Sequence, residues 1–472
     1  MWLPTAVLGL ALQAVLQFPA SGDPKAHAEF LLGVQSLHGS AYDDAAAHFR
    51  AAERIDPDFV LAFWGEAMTF NHPFWNQQDI GGARRALLKL APTRAARAAK
   101  AKTPRERAYL NAVEILFGDG DRDSRDFAFA EAMRKVAFDN PDDYEAAAFY
   151  VLAMLSARRI GDTTYLQTQA AAAAILNSIL GKYPGHPGAL HYLMHAYDDP
   201  EHAPLALDAA RRYEKVPVTD ANFHAIHMPS HIYAQLGMWD DVVRLNQKAL
   251  DASDRAGKRD YHSLEFLQYA EMQLGRYDNV RRSLKGNPPV LAARFAIETR
   301  EWNVLAAYPE NDRTSELAFA RGLAALASDG VSNAKRYSST LDAIRREDLT
   351  AMRRNHAASV ELLNMLLASR IAFAEKRFDD AEKLAATAVK FEVKLDVPAE
   401  LNGIVKPAAE FYGELLLELG KSDDAAVQFS AALRQRPGRR LSLEGLARSR
   451  PRGAADQDAG DRSYRANGFG RS

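Results

Sequence analysis

The sequence predicts an all-α fold, a superhelical solenoid of antiparallel helix pairs, and three observations support this prediction. The chain is rich in alanine, and the alanine run at 170–174 favours a helix over a strand. Small and large apolar residues recur at matching offsets near both ends of the chain, and glycine-containing turns separate the helices predicted between them. Because one helix pair cannot bury its apolar face alone, such pairs must stack on their neighbours.

Residues 1–22 predict an export signal. Trp2–Phe18 are apolar or small apart from two glutamines, and Ala20-Ser21-Gly22 offers a small-x-small cleavage site. We therefore expect export to the periplasm or the extracellular space. No Lys or Arg precedes the apolar run, so an uncleaved anchor is one alternative and a frayed apolar helix is another. The run is short for a membrane span, and we expect no membrane span beyond it.

Two units at opposite ends of the chain show the repeat most clearly. Small residues let two helices approach closely, and large residues fill the space toward the next unit. The two units are Leu32-Gly33, Ala45, Phe49, Ala52 and Pro57, and Tyr412-Gly413, Leu416, Ala425, Phe429, Ala432 and Pro437. Partial copies lie at Trp64-Gly65 and at Arg377–Ala381. Three weaker units in the middle have turns at Tyr197–Pro200, Gly237–Asp240 and Gly275–Asp278.

This rhythm resembles the tetratricopeptide repeat (TPR) family, and the strings within it resemble a bacterial, exported branch of that family. The strings are Trp64-Gly65, Asn71-His72-Pro73, His191-Tyr-Leu-Met-His195 and His227-Met-Pro-Ser-His231. The resemblance covers most of residues 27–450 and implies the fold, but it implies no particular activity. It divides the chain into TPR-like segments at 23–130, 131–285 and 286–450, followed by a disordered tail at 451–472.

Histidines are concentrated in the middle of the chain. Seven of the thirteen lie within 46 residues, at His186, His191, His195, His202, His224, His227 and His231. His191 and His195 are four apart on a predicted helix, so they share one face and can chelate one ion. His227 and His231 have the same spacing, but a helix that began at Pro229 between them would weaken this interpretation.

The resemblance implies that the first helices of successive repeats line one groove. Six side chains would then face that groove and converge on an ion: His191, His195, His227, His231, His262 and Glu265. Imidazole suits Cu, Fe and Zn, which are the expected cofactors. Tyr197 and Asp198 are candidate supporting partners, and His72 is a candidate groove residue. A pH-sensitive groove without metal is an alternative, and for His72, His27 and His38 the structural interpretation is the better one.

Several function classes are excluded. The chain has no cysteine, which removes thiolate metal sites and cysteine nucleophiles. A net charge of −2, with 59 basic and 61 acidic residues, argues against a nucleic-acid partner. Tyr192 and Met228 follow the leading histidines where a zinc protease of the His-Glu-x-x-His type has glutamate.

Two functions from different classes therefore stay open. The first choice is a scaffold that binds a protein or peptide partner in the concave groove. The alternative is a metalloprotein, such as an oxidase or a hydrolase, that uses the histidine groove.

Overall fold

The computed structural model describes residues 16–157, 165–328, 330–351, 353–395 and 405–449. Within these residues the only strands are Asn71–His72 (β1) and Gln77–Gln78 (β2), which form a short antiparallel ribbon around a 3-10 turn at Pro73–Trp75. All other regular structure in these residues is helical, and many helices that follow one another in the chain pack together. The predicted all-α class of TPR-like helix pairs is confirmed. The predicted tail at 451–472 and residues 1–15 of the predicted signal lie outside the described residues.

The helices group into two compact units. The first unit is Met1–Tyr233 with Asp241–Leu264, and the second is Ala234–Asp240 with Glu265–Ser472. The first thirteen described helices are α1 (Pro24–His38), α2 (Tyr42–Ile55), α3 (Val60–Met68), α4 (Ile80–Leu90), α5 (Arg94–Lys100), α6 (Pro104–Leu116), α7 (Arg122–Asp139), α8 (Tyr144–Ala157), α9 (Tyr165–Lys182), α10 (Pro187–Ala196), α11 (Ala203–Tyr213), α12 (Phe223–His227) and α13 (Pro229–Gln235).

The chain continues with eleven more described helices. They are α14 (Trp239–Arg255), α15 (Tyr261–Gln273), α16 (Tyr277–Ser283), α17 (Pro289–Thr299), α18 (Ser315–Ser328), α19 (Val331–Thr350), α20 (Arg354–Ala374), α21 (Phe378–Glu392), α22 (Ala408–Glu418), α23 (Ser422–Gln435) and α24 (Arg440–Ser449). Two short 3-10 helices lie at Asp220–Asn222 and Trp302–Ala307.

The repeat rhythm has a direct structural basis around one phenylalanine in each unit. Phe49 of α2 is fully buried between two glycines, and a Cβ added at Gly33 or Gly65 would lie 2.6 or 2.4 Å from its ring. In the second unit a Cβ at Gly413 or Gly445 would lie 2.9 or 2.3 Å from the ring of Phe429. Each glycine therefore allows a helix to approach the aromatic ring at a distance that an added methyl group would prevent.

The end of the predicted signal packs into the first unit. Leu16 and Phe18 are buried, and the ring of Phe18 lies 5.0 Å from that of Phe30 and 5.7 Å from that of Trp64. The backbone N–H and the hydroxyl of Ser21 both donate to Glu106. The predicted cleavage site therefore lies among residues that make tertiary contacts.

One described helix, α20, is long and apolar enough to cross a membrane by length and composition alone. Within the second unit it packs against α19 and α21, and its apolar window is half buried there. Its buried residues, such as Leu363, Leu366 and Leu367, join the apolar core of that unit.

Candidate metal centre

Six imidazoles of the first unit come together, and they lie on four helices. His191 and His195 lie on α10, and His224 and His227 lie on α12. His231 follows on α13, and His262 lies in the first turn of α15. The positions on four separate helices are joined only by tertiary packing.

His191, His195 and His224 form the first triad. One ring nitrogen of each lies within 4.8 Å of those of the other two. The Nε2 atoms of His191 and His195 are 3.1 Å apart, and the ring of His224 lies 5.6 Å from that of His191. The Nε2 atom of His224 is buried and has no hydrogen-bond partner among the described residues. The triad therefore presents three nitrogen donors to one small volume.

His227, His231 and His262 form the second triad, again with ligand atoms within 4.8 Å of one another. The Nε2 atom of His231 is 2.8 Å from that of His227 and 3.3 Å from that of His262. His227 and His231 are buried, and His262 is only partly exposed. All three Nε2 atoms thus converge on one point.

The two triads are neighbours. The ring centroids of His224 and His227 are 5.9 Å apart, and those of His195 and His231 are 6.3 Å apart. Six groups were predicted to converge on one ion in one groove, whereas the structure divides the imidazoles into two groups of three. His224 completes the first group, although it was not among the predicted ligands.

We expected that a helix beginning at Pro229 would separate His227 from His231, and this expectation is wrong. The helix does break there, because α12 ends at His227 and α13 begins at Pro229. Met228 between them keeps right-handed helical angles, with φ −50° and ψ −42°. His227 and His231 therefore stay one turn apart across the break, and their Nε2 atoms meet at 2.8 Å.

The outer ring nitrogens are held by acceptors. Nδ1 of His191 donates to the backbone carbonyl of His38 at 2.5 Å. Nδ1 of His231 donates to Asp198 Oδ2 at 2.7 Å. Nδ1 of His227 donates to Asn246 Oδ1 at 2.5 Å, since the amide nitrogen of Asn246 is used by the carbonyl of Val242. In the neutral ring these bonds leave the Nε2 lone pair facing the triad, which is the tautomer that binds a metal.

Burial favours the neutral form of four of the six rings. It lowers the pKa of His191 to about 4 and that of His262 to about 3, and the neighbouring imidazoles add to both effects. Burial, with nearby imidazoles, also holds the pKa of His224 and of His227 well below the ordinary value. Neutral imidazole is the form that ligates transition metals.

Aromatic side chains from the β1–β2 ribbon lie over the first triad. Phe74 stacks on His195 with centroids 3.6 Å apart, and Trp75 lies 4.8 Å from His224. A cavity of about 160 Å³ reaches His224 beside Phe223 and His72. The ribbon therefore covers the imidazoles on one side, and the cavity leads to one of them.

The remaining residues predicted for the site, Asp198, Tyr197 and His72, differ in their contacts. Asp198 bonds His231, as proposed for a supporting partner. Tyr197 stacks instead on His202, with centroids 5.9 Å apart. His72 stacks on Tyr42 at 3.8 Å and lines the cavity.

Glu265 is absent from both triads. It lies one turn after His262 on α15 and is assigned to the second unit. There, burial lowers the pKa of Arg294, and the carboxylate of Glu265 opposes that effect.

No family model matches the chain, and no curated protein matches it. Solved structures do. The TPR domain of P58(IPK) is 15% identical, with 93% of this chain and 99% of that chain covered and a TM-score of 0.24. Human IFIT1 in complex with PPP-AAAA is 13% identical, with 94% and 93% covered and a TM-score of 0.38. Yeast Tom70 is 11% identical, with 93% and 96% covered and a TM-score of 0.30.

Proposed function

We propose that this chain is a metalloprotein that binds two transition-metal ions, one in each histidine triad. The observation that carries the proposal is the approach of His227 to His231. Both rings donate through Nδ1, so each neutral ring has only a lone pair at Nε2. Two such lone pairs 2.8 Å apart repel each other unless a cation lies between them.

A metal ion suits the triads better than a proton does. A shared proton would bridge only two nitrogens, whereas three converge in each triad. Two nitrogens bound tetrahedrally to one ion at 2.0–2.1 Å are about 3.3 Å apart. The distances of 3.1 Å in the first triad and 3.3 Å between His231 and His262 are close to this value. The pair at 2.8 Å needs to open by about 0.5 Å to bind an ion in this geometry.

Copper is the ion we propose. Each triad contains imidazole alone, without a carboxylate or a thiolate. Carboxylate-rich sets suit Mg and Mn, while affinity for nitrogen donors is highest for Cu²⁺ in the divalent series. Three ligands also leave a coordination position open, as in catalytic sites rather than structural ones.

Two neighbouring open positions favour redox chemistry on a small molecule that contacts both ions. If both triads held Cu(I), the pair would supply the two electrons that reduce dioxygen to the peroxide level, and an oxidisable organic substrate would return those electrons. The cavity beside His224 gives access for such a molecule or for an organic substrate. An oxidase is therefore the reaction class we propose, and a hydrolase is the class expected if the ions prove to be zinc.

Metal analysis of protein purified without a histidine tag tests the proposal. We expect two copper ions per chain after anaerobic loading with Cu(I), and one ion per chain in each of His191→Ala and His231→Ala. His202→Ala is the matched control, because His202 pairs with Asp199 outside both triads. A wild-type protein that takes up no copper or zinc, or variants that retain both ions, would contradict the proposal.

An exported scaffold for a protein or peptide partner is the second proposal. The helix-pair fold supports it because stacked repeats form extended binding surfaces. Secretion of a tagged full-length chain tests export, and capture of a partner that is unaffected by His191→Ala would separate this role from the metal site.

A further inference from the structure

We infer that Glu145 is a positioning residue for the first triad, because it holds the His38 side chain against the helix that carries His191. This inference rests on the proposed function, since the triad must bind an ion for its geometry to matter. It concerns a buried group behind the site that touches neither the ions nor the cavity.

Glu145, His38 and His186 are almost completely buried together. One carboxylate oxygen of Glu145 lies 2.7 Å from Nε2 of His38, and the other lies 3.2 Å from Nε2 of His186. Burial alone would raise the pKa of Glu145, but the two imidazoles hold it well below the usual range. A buried carboxylate is costly unless it is paired, so it fixes the orientation of both rings.

The three groups restrain one another and do not form a third metal site, although their ligand atoms also lie within 4.8 Å of one another. Nδ1 of His186 accepts the backbone N–H of Ala189 at 3.1 Å, so the proton of the neutral ring lies on Nε2. The ring of His38 likewise donates from Nε2 to the carboxylate and accepts the Tyr192 hydroxyl at Nδ1, at 2.9 Å. The Nε2 atom of His38 faces Glu145 with a hydrogen, whereas those of His191, His227 and His231 face their triads with a lone pair.

His38 contacts α10 at three places, so a fixed position of His38 restrains that helix. Its carbonyl accepts the Nδ1–H of His191 at 2.5 Å, and its ring accepts the hydroxyl of Tyr192. The ring also packs on Gly188, where an added Cβ would lie 2.3 Å from Nδ1. Residues 188, 191 and 192 are consecutive contacts along one turn of α10, so the direction of the His191 ring depends on where His38 is held.

Titration of the apo form of the full chain with Co(II) tests the inference, because the visible absorption of Co(II) distinguishes tetrahedral nitrogen sites from the hydrated ion. Wild type is expected to bind two equivalents. In Glu145→Gln one equivalent should weaken by about 10–100-fold, as for other residues that orient metal ligands, while the other keeps its affinity. Glu114→Gln is the matched control, since Glu114 is a buried glutamate of the same unit paired with Arg97 at 2.8 Å.

A second measurement does not need metal. The short Nδ1–H bond of His191 should give a downfield proton resonance that His191→Ala removes. Glu145→Gln should shift or broaden it, and Glu114→Gln should leave it unchanged. If Glu145→Gln does not fold, Gly188→Ala perturbs the same contact without altering the buried charge.

The inference is overturned if Glu145→Gln leaves both equivalents and the resonance unchanged, or if it weakens both equivalents equally. Failure of the proposed function looks different. In that case wild type binds no Co(II) at all, while the proton resonance still reports whether Glu145 positions His191.

Discussion

The interaction between Asp198 and His231 leads to the sharpest prediction for the second triad. Asp198 Oδ2 accepts the Nδ1–H of His231 at 2.7 Å, and the Asp198 side chain is 14% exposed. The carboxylate orients the ring and makes its Nε2 a stronger donor, and loss of such a partner weakens metal binding 10–100-fold. Asp198→Asn keeps an oxygen acceptor but removes the charge, so we expect the second triad to lose roughly 1.4–2.7 kcal/mol of binding free energy.

Competition with a chelator of known copper affinity measures both sites separately. In Asp198→Asn one equivalent should be withdrawn at 10–100-fold lower chelator concentration than in wild type, while the other is withdrawn as before. Asp199→Asn is the control, since the neighbouring carboxylate bonds His202 instead. Equal affinities in wild type and Asp198→Asn would refute the argument that this carboxylate acts on a metal ligand.

Three further predictions concern the fold of the first unit. Burial, with Glu66 nearby, raises the pKa of Glu53 to about 7. The folded state therefore binds more protons than the unfolded state between pH 4.5 and 7, and it loses stability as pH rises through that window. In Glu53→Gln, the free energy of unfolding in urea should depend less on pH across this window. Phe18→Ala should lower the free energy of unfolding by about 3–5 kcal/mol, whereas Phe138→Ala, at a side chain 77% exposed, should change it by less than about 0.5 kcal/mol. Gly65→Ala should destabilise by about 1–3 kcal/mol because its Cβ would meet a buried ring, while Gly181→Ala, with open space around it, should be neutral or stabilising in the same assay.

The fold could be predicted from the sequence because its signals are local. Glycines that face Phe49 and Phe429 lie at fixed offsets within their repeats, and the helix-pair geometry follows from those offsets. The clustering of the helices into two units could not be read in this way, because it depends on contacts between residues far apart in the chain. The sequence also gave no sign that Phe18, within the predicted signal, packs against Trp64.

The site was predictable only in part, for the same reason. His191 with His195, and His227 with His231, lie one helical turn apart, so spacing alone brings each pair together. His224 is three residues before His227 but lies with the other triad, and only its tertiary position beside His191 decides this. The resemblance to helical repeats implied that Glu265 faces the groove together with His262, but each triad has its three nitrogen donors without Glu265.

The two triads are alike in their donors and unlike in their surroundings, and this difference has a chemical consequence. His191 is held by a neutral backbone carbonyl, whereas His231 is held by the carboxylate of Asp198. A negative charge one ring away stabilises a dication more than a monocation, since Coulomb energy scales with the charge of the ion. The second triad should therefore bind a divalent ion more tightly and favour the higher oxidation state of copper. If copper occupies both triads as proposed, the first triad, beneath Phe74 and beside the cavity, would therefore favour the reduced ion more than the second triad does.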